Sequence, residues 1–185
     1  MTDLSPLCAL GSASGRCVRF GKMTLSENPR LGLASLSIGK GHVPVRPGLD
    51  LPGPGQWVEG KGVAAFWIGP DQWMVEFPDQ AGRDVAAMLA QDAPGCAVTE
   101  QTDGFVAFDL EGPEIDLLAV LEKLVNIDIS AFAPGSVTRT GLHHMSVFVI
   151  RRRTDRISFL GIRSAAGSLW EALAAAATRR AVVPD

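Results

Sequence analysis

The chain has 185 residues, a formal charge of -3, 46% hydrophobic residues and 20% charged residues. That length fits one domain, or one domain with an arm, and is enough to bury about 70% of the unfolded chain's surface without disulfide or metal staples. The small negative charge argues against a general nucleic-acid binder, which would carry a basic face.

Arginine supplies 13 of the 17 basic residues, and its planar guanidinium suits fixed ion pairs and protein interfaces. Cys8, Cys17 and Cys96 are odd in number and lack a Cys-x-x-Cys spacing. This excludes a disulfide framework and a cysteine zinc site, so reduced thiols in a cytoplasmic protein are expected. The opening MTDLSPLCALG has no basic region followed by an apolar run, so no signal peptide is expected. No apolar run reaches the roughly 20 residues that span a bilayer.

Residues 1–30 mix Gly, Ser, Pro and charge, and are expected to form an N-terminal arm with a flexible joint at Gly11–Gly15. Residues 31–178 are expected to form a single α+β domain, followed by a C-terminal tail over 179–185. Residues 31–38 (LGLASLSI) alternate as a strand does. Residues 39–62 hold seven Gly and four Pro among 24 positions. Such a stretch resists regular structure and predicts a long loop, either a floppy insertion or a segment that packs against another subunit with Trp57 as its anchor.

The regular part begins near Ala64. Residues 65–68 and 73–77 predict two strands about a turn at Gly69-Pro70-Asp71-Gln72. Asp79 is the expected cap of a helix over 80–91, ended by Pro94-Gly95. Residues 97–101 and 105–110 predict a hairpin through Thr102-Asp103-Gly104, because an Asp-Gly step tolerates positive φ. Gly112-Pro113 opens a helix with the stripe Ile115, Leu118, Leu121 and Val125, widened by Leu117 and Leu124. Residues 142–150 and 156–162 predict two further strands. Ser164 then caps a helix whose Ala166, Leu169, Trp170, Leu173 and Ala177 share a face. The rhythm is strand-strand-helix, three times, which predicts an α+β fold with helices packed on sheets.

Few residues point to chemistry. His143 and His144 are adjacent on a predicted strand and would face opposite sides, so they are not expected to share a metal; His42 sits in the Gly/Pro loop. Arg151, Arg152, Arg153 and Arg156 form a basic cluster that is either a solvated turn or a docking edge for an acidic patch. Glu111 with Glu114, and Glu100 with Asp103, fit helix starts and turns. Trp67 and Trp73 are either sheet core or an exposed aromatic patch. No G-x-G-x-x-G or G-x-x-x-x-G-K-S/T run lies between a strand and a helix, and no G-x-S-x-G elbow occurs. No catalytic, cofactor-binding or metal residue is therefore assigned to this chain.

Several segments together resemble the gamma subunit of heterotetrameric sarcosine oxidase. They are Trp67-Ile68-Gly69-Pro70-Asp71-Gln72-Trp73, Asp103-Gly104-Phe105-Val106, Phe132-Ala133-Pro134-Gly135-Ser136-Val137-Thr138-Arg139-Thr140, Leu142-His143-His144-Met145 and Arg163-Ser164-Ala165-Ala166-Gly167-Ser168-Leu169. More distantly, the strand-strand-helix rhythm is similar to the tetrahydrofolate-binding aminomethyltransferase superfamily, with Asn126-Ile127-Asp128-Ile129 resembling its Asn-Asp element. The resemblance implies the fold of an aminomethyltransferase folate-binding domain and a place beside alpha, beta and delta subunits that convert sarcosine to glycine. It assigns FAD, FMN, NAD, tetrahydrofolate and zinc to those partners and no cofactor to the gamma chain. Two alternatives stay open. One is a folate-binding one-carbon transfer module, with Asn126, Asp128 and Arg139 as candidate polar contacts. The other is the equivalent subunit of an N-methylglutamate dehydrogenase-type complex.

Overall fold

The structure is a computed structural model that describes residues 6–39 and 48–182. In chain order its elements are β1 (Cys17–Phe20), β2 (Met23–Glu27), β3 (Gly32–Ser37), β4 (Trp57–Glu59), β5 (Ala64–Gly69), β6 (Gln72–Phe77), α1 (Val85–Asp92), β7 (Ala97–Glu100), β8 (Phe105–Glu111), α2 (Glu114–Leu124), β9 (Val137–Leu142), β10 (Met145–Arg153), β11 (Arg156–Ile162) and α3 (Ala166–Val182). The fold is α+β, as expected, and from β5 on the order is β5-β6-α1, β7-β8-α2 and β9-β10-β11-α3, so the last repeat carries a third strand. Among the described residues, no helix is long and apolar enough to cross a membrane.

The expected single domain resolves into two compact units. The first comprises the described residues up to Pro29, Phe105–Pro134, and those from Arg139 onward; the second is Arg30–Gly104 with Gly135–Thr138. The predicted hairpin at Thr102-Asp103-Gly104 is where the expectation fails. These residues form a short 3-10 turn, after which the chain changes sheets. The turn is pinned on its own side: Gln101 N donates to Leu33 O (2.8 Å) and Leu33 N to Thr102 Oγ1 (3.0 Å). An Asp-Gly step permits a turn, but it does not dictate that the flanking strands pair.

The first unit is a six-stranded sheet in the order β1-β2-β8-β11-β10-β9 with α2 and α3 on one face. Alternation builds its core. Val106, Phe108 and Leu110 of β8 face the helices with Ile157 and Phe159 of β11, meeting Leu117, Val120, Leu169, Trp170 and Leu173. Each such side chain stabilises by about 1.5–3 kcal/mol on burial. A methyl at Gly161 would lie 2.7 Å from Leu169 Cδ2, so that glycine sets how closely α3 approaches β11.

Three predicted details change here. Ile115 is 69% exposed, and the buried residues of α2 are Leu117, Val120 and Leu121. The strand expected over 142–150 is split by a two-residue turn at His143-His144. Ser164 lies in a 3-10 turn before α3, and α3 runs through the expected tail to Val182; residues 183–185 lie outside the described residues. Arg180, bonded to Asp116 at 2.7 Å, holds this last turn.

The expected arm before Leu31 is largely part of this unit. Met23-Thr24-Leu25-Ser26-Glu27 alternates buried with half-buried positions, as an ordinary strand does, and β1 and β2 form a hairpin on the sheet. The Gly/Ser joint is a hydrogen-bonded turn: Cys8 N donates to Ser12 O (2.8 Å) and Gly11 N to Cys8 O (2.9 Å). The composition masks these signals because Gly, Ser and Pro dominate the count.

The second unit is a five-stranded sheet in the order β4-β5-β6-β3-β7, with α1 against it. α1 begins at Val85 and is capped by Asp84, whose Oδ1 accepts Ala87 N at 2.8 Å. The expected cap, Asp79, instead has φ +60° and pairs with Arg30 at 3.0 Å. Pro78 before it and Gly82 after it keep the chain in turns until Asp84. Of the Gly/Pro stretch, residues 40–47, with His42, lie outside the described residues. The rest packs on its own unit: Leu49 and Leu51 lie against the core, and Trp57–Glu59 is the edge strand β4.

Candidate functional site

The largest polar cluster is built from the arginines of the β10–β11 hairpin. Alternation sends Arg151 to the helix face and Arg152 to the other. Arg151, with a side chain 6% exposed, donates to the Glu114 carboxylate in the first turn of α2 and to the Phe132 carbonyl. On the other face Arg152 Nε donates to Ser158 Oγ (2.9 Å), and Ser158 Oγ donates to Asp109 Oδ1. Asp109 Oδ2 accepts Arg156 Nη2 (2.7 Å) and Asn28 Nδ2 (3.5 Å), and Arg156 Nε lies 3.5 Å from Glu111 Oε1. Arg153 alone is an exposed pair, with Asp155 at 3.2 Å.

The cluster expected as a docking edge or a solvated turn is therefore mainly an internal framework. A buried Asp109 or Arg151 would be costly without these partners. The network joins β8, β11 and β10 and leaves Asp109 both oxygens occupied by donors. Its chemistry is that of fixed ion pairs.

Glu100 is likewise engaged. Glu100 Oε2 accepts Ala86 N in the first turn of α1 (3.1 Å), and its Oε1 accepts Gln101 N (3.2 Å), Thr102 N (3.0 Å) and the Thr102 hydroxyl. Burial pushes this carboxyl up, but those hydrogen bonds outweigh it and hold Glu100 below the usual range.

Of the candidate folate contacts, Asp128 and Arg139 each bond a nearby serine. Asn126 is exposed. Asp128 accepts Ser130 Oγ (2.6 Å) and Ser130 N (3.0 Å), and these bonds hold its carboxyl below the usual range. Arg139 Nε donates to Ser146 Oγ (2.9 Å), and its guanidinium lies 5.5 Å from the Phe148 ring centroid. His143 and His144 occupy the exposed β9–β10 turn, with His143 at φ +51°. Their placement on a strand is thus corrected, because a two-residue turn interrupts the run there. Among the described residues, no three His, Cys, Asp or Glu side chains are grouped as a metal ion would require.

In the second unit Trp57 and Trp73 each spend the indole N–H on a partner in the same unit. Trp57 Nε1 donates to Glu76 Oε2 (2.8 Å), and Trp73 Nε1 to Pro52 O (2.8 Å). Trp67 and Trp73 are cross-strand partners and half-buried. The expected anchor for a neighbouring subunit, Trp57, therefore spends its indole N–H on a carboxylate that is 1% exposed.

Sequence reasoning passed over three buried acids: Glu27, Glu76 and Asp109. Each stands in an otherwise apolar or alternating run (MTLSE, WMVEF, FVAFDL), and a lone acid in such a run signals a built-in partner. Glu27 is a hub: its two oxygens accept Leu10 N and Arg16 N, both at 3.3 Å. Burial and the Glu27 carboxylate push the Cys8 thiol up, against a smaller opposing pull from Arg163.

Two antiparallel sheets with three helices in this order define an α+β fold of the aminomethyltransferase type. The chain is similar, over 91% of its length and 90% of the other, to a chain of the heterotetrameric sarcosine oxidase from Corynebacterium sp. U-96 in complex with pyrrole 2-carboxylate, at 18% identity and a TM-score of 0.75. It is also similar to the glycine cleavage system aminomethyltransferase T from Bartonella henselae, at 15% identity and a TM-score of 0.60 over 80% of this chain. There it spans 44% of the other chain, less than half its length. No protein-family model and no curated protein matches the sequence.

Proposed function

We propose that this chain is the gamma-type subunit of a heterotetrameric sarcosine oxidase in the cytoplasm. In that complex, oxidative demethylation of sarcosine to glycine runs on the alpha, beta and delta subunits, which hold FAD, FMN, NAD, tetrahydrofolate and zinc. The observation that carries this reading is the end-to-end match: 91% of this chain against 90% of a sarcosine oxidase chain. The ion pairs of Arg151 with Glu114 and of Arg156 with Asp109 within the chain support a structural role for it. Co-expression with the three other subunits tests the proposal. The chain is expected to co-elute with them in equal stoichiometry and to be needed for stable, sarcosine-dependent peroxide production. A chain that elutes alone overturns it. Comparing sarcosine with N-methylglutamate as substrate of the assembled complex assigns the amine.

A second reading, a folate-binding one-carbon transfer module, is favoured by the aminomethyltransferase likeness at a TM-score of 0.60. Calorimetry of the chain with tetrahydrofolate decides it, since absence of heat at millimolar ligand removes this reading.

A further inference from the structure

We infer that one end of the first unit's sheet is a docking seat: Arg139 clasps a carboxylate of a partner subunit, and Phe105 and Ile162 take an apolar side chain beside it. This rests on the subunit role proposed above.

Contacts within the unit place the seat. Phe105 of β8 and Ile162 of β11 are cross-strand partners. The rings of Phe105 and Phe148 lie 6.4 Å apart, and the Arg139 guanidinium lies 5.5 Å from the centre of the Phe148 ring. Cross-strand partners share a face, and successive residues of a strand alternate faces. Val106 and Phe108 belong to the core under the helices, so Phe105 and this line of contacts lie on the opposite face. Phe148 is buried and Phe105 half-buried, whereas Ile162 is 52% exposed and Arg139 is exposed. An apolar side chain therefore stands in water beside a cation, and both are carried by strands rather than loops.

The arginine is oriented before anything binds. Its Nε donates to Ser146 Oγ at 2.9 Å, and the Phe148 ring lies against the guanidinium. Among the described residues, neither Nη group has a partner. The two Nη groups form a fork that holds both oxygens of a carboxylate, and a guanidinium already fixed at Nε loses little freedom on binding one.

Charge selects the occupant. On this face of the sheet the acids are Asp109 and Glu111, further along β8, and both are tied to Arg156. Glu27 pairs with Phe108 and so lies on the helix face, its two oxygens bound by Leu10 N and Arg16 N. Asp103, the acid nearest Phe105 in sequence, belongs to the second unit. At the seat's own end the sheet carries Arg139, His143, His144 and Arg163 and no acid. A second copy meeting this seat with its own seat would set cation against cation in any register, because the seat holds no carboxylate to answer Arg139. A partner segment with a carboxylate next to an apolar side chain meets both demands.

The test uses the full chain co-expressed with the three other subunits, in two arms. In the first, Arg139→Glu and Ile162→Asp, both at exposed positions, are compared with wild type for capture, with circular dichroism and melting matched. Capture is expected to fall about tenfold or more in each. Undiminished capture overturns the seat and leaves the subunit role standing. A wild-type chain that joins no complex overturns the subunit role and the seat with it. In the second arm the complex carrying Arg139→Lys is treated with a carbodiimide, which couples an amine to a carboxylate in contact with it. A crosslink from position 139 to a carboxylate of another subunit is expected. A crosslink to a second copy, a crosslink within the same chain, or none at all overturns the seat. Loss of capture in this conservative variant counts with the first arm in its favour.

Discussion

The two units solve the same problem, a buried carboxylate in a strand, in different ways. In the first, Asp109 is held by a guanidinium, a hydroxyl and an amide. In the second, Glu76 accepts the indole N–H of Trp57 from the edge strand β4. In the first unit two helices, of 11 and 17 residues, cover one face of the sheet, and Asp109 lies on the other. The second has one helix of eight residues and closes its sheet partly with a Gly/Pro loop held by Leu49, Leu51 and the Trp73–Pro52 bond. The first unit satisfies its buried acid with a fixed ion pair, whereas the second uses an aromatic side chain with one polar end.

The largest expected effect lies in the helix-covered core. Phe108 is fully buried and meets Trp170 edge-on, with centroids 5.4 Å apart. Phe108→Ala removes that ring between β8 and α3 and is expected to cost about 3–5 kcal/mol. Urea unfolding followed by Trp170 emission, with the other three tryptophans changed to Phe, reads this unit directly.

Next comes the asymmetry of the buried pair. Glu114 is 48% exposed while Arg151 is 6% exposed. Glu114→Ala leaves a buried guanidinium with only the Phe132 carbonyl, and is expected to cost about 3 kcal/mol. Arg151→Met leaves a carboxylate that water can reach, and should cost clearly less. Equal losses in denaturant midpoint would show that the pair contributes through attraction rather than through burial of Arg151.

These contrasts also mark what the chain displays before folding. The runs VAFDL, SVFVI and ISFLG announce the inner strands of the first sheet, and SLWEALAAAA its covering helix, because apolar period survives there on every core-facing position. β1 and β2 are obscured by the Gly and Ser around them, although MTLSE alternates plainly. The sheet switch at Thr102–Gly104 leaves no local trace, since which strand pairs with which is settled by contacts distant in sequence. The same holds for the polar network. Arg151 and Glu114 are 37 residues apart and Asp109 and Arg156 are 47 apart, so the cluster of arginines is visible while its partners are not.

A smaller effect is expected in the loop-covered unit. Trp57→Phe keeps the ring and removes the donor to Glu76, for a loss of about 1–2 kcal/mol. Trp73→Phe removes the donor to a neutral carbonyl, that of Pro52, rather than to a carboxylate, and should lose about 1 kcal/mol or less. A larger loss at Trp73 than at Trp57 would show that the loop, rather than the buried carboxylate, governs the stability of this unit. Thermal melts of the two variants decide between them.

The smallest expected effect has a sign that pH reveals. Glu100 has its carboxyl held below the usual range in the folded chain, since hydrogen bonds from Thr102, Ala86 and Gln101 outweigh burial. A group with a depressed folded value contributes stability that is present above its unfolded value and is lost as pH falls through the folded one. Glu100→Gln keeps an acceptor but removes the charge beside the first turn of α1. At neutral pH the loss is expected to be about 0.5 kcal/mol, kept small by solvent screening at an exposed site. The difference between the variant and wild type should narrow as pH falls from the ordinary carboxylate range through the lower folded value, where the wild-type carboxyl takes up its proton. A gap that stays constant down to strong acid would mean that geometry rather than charge at Glu100 ties β7 to α1.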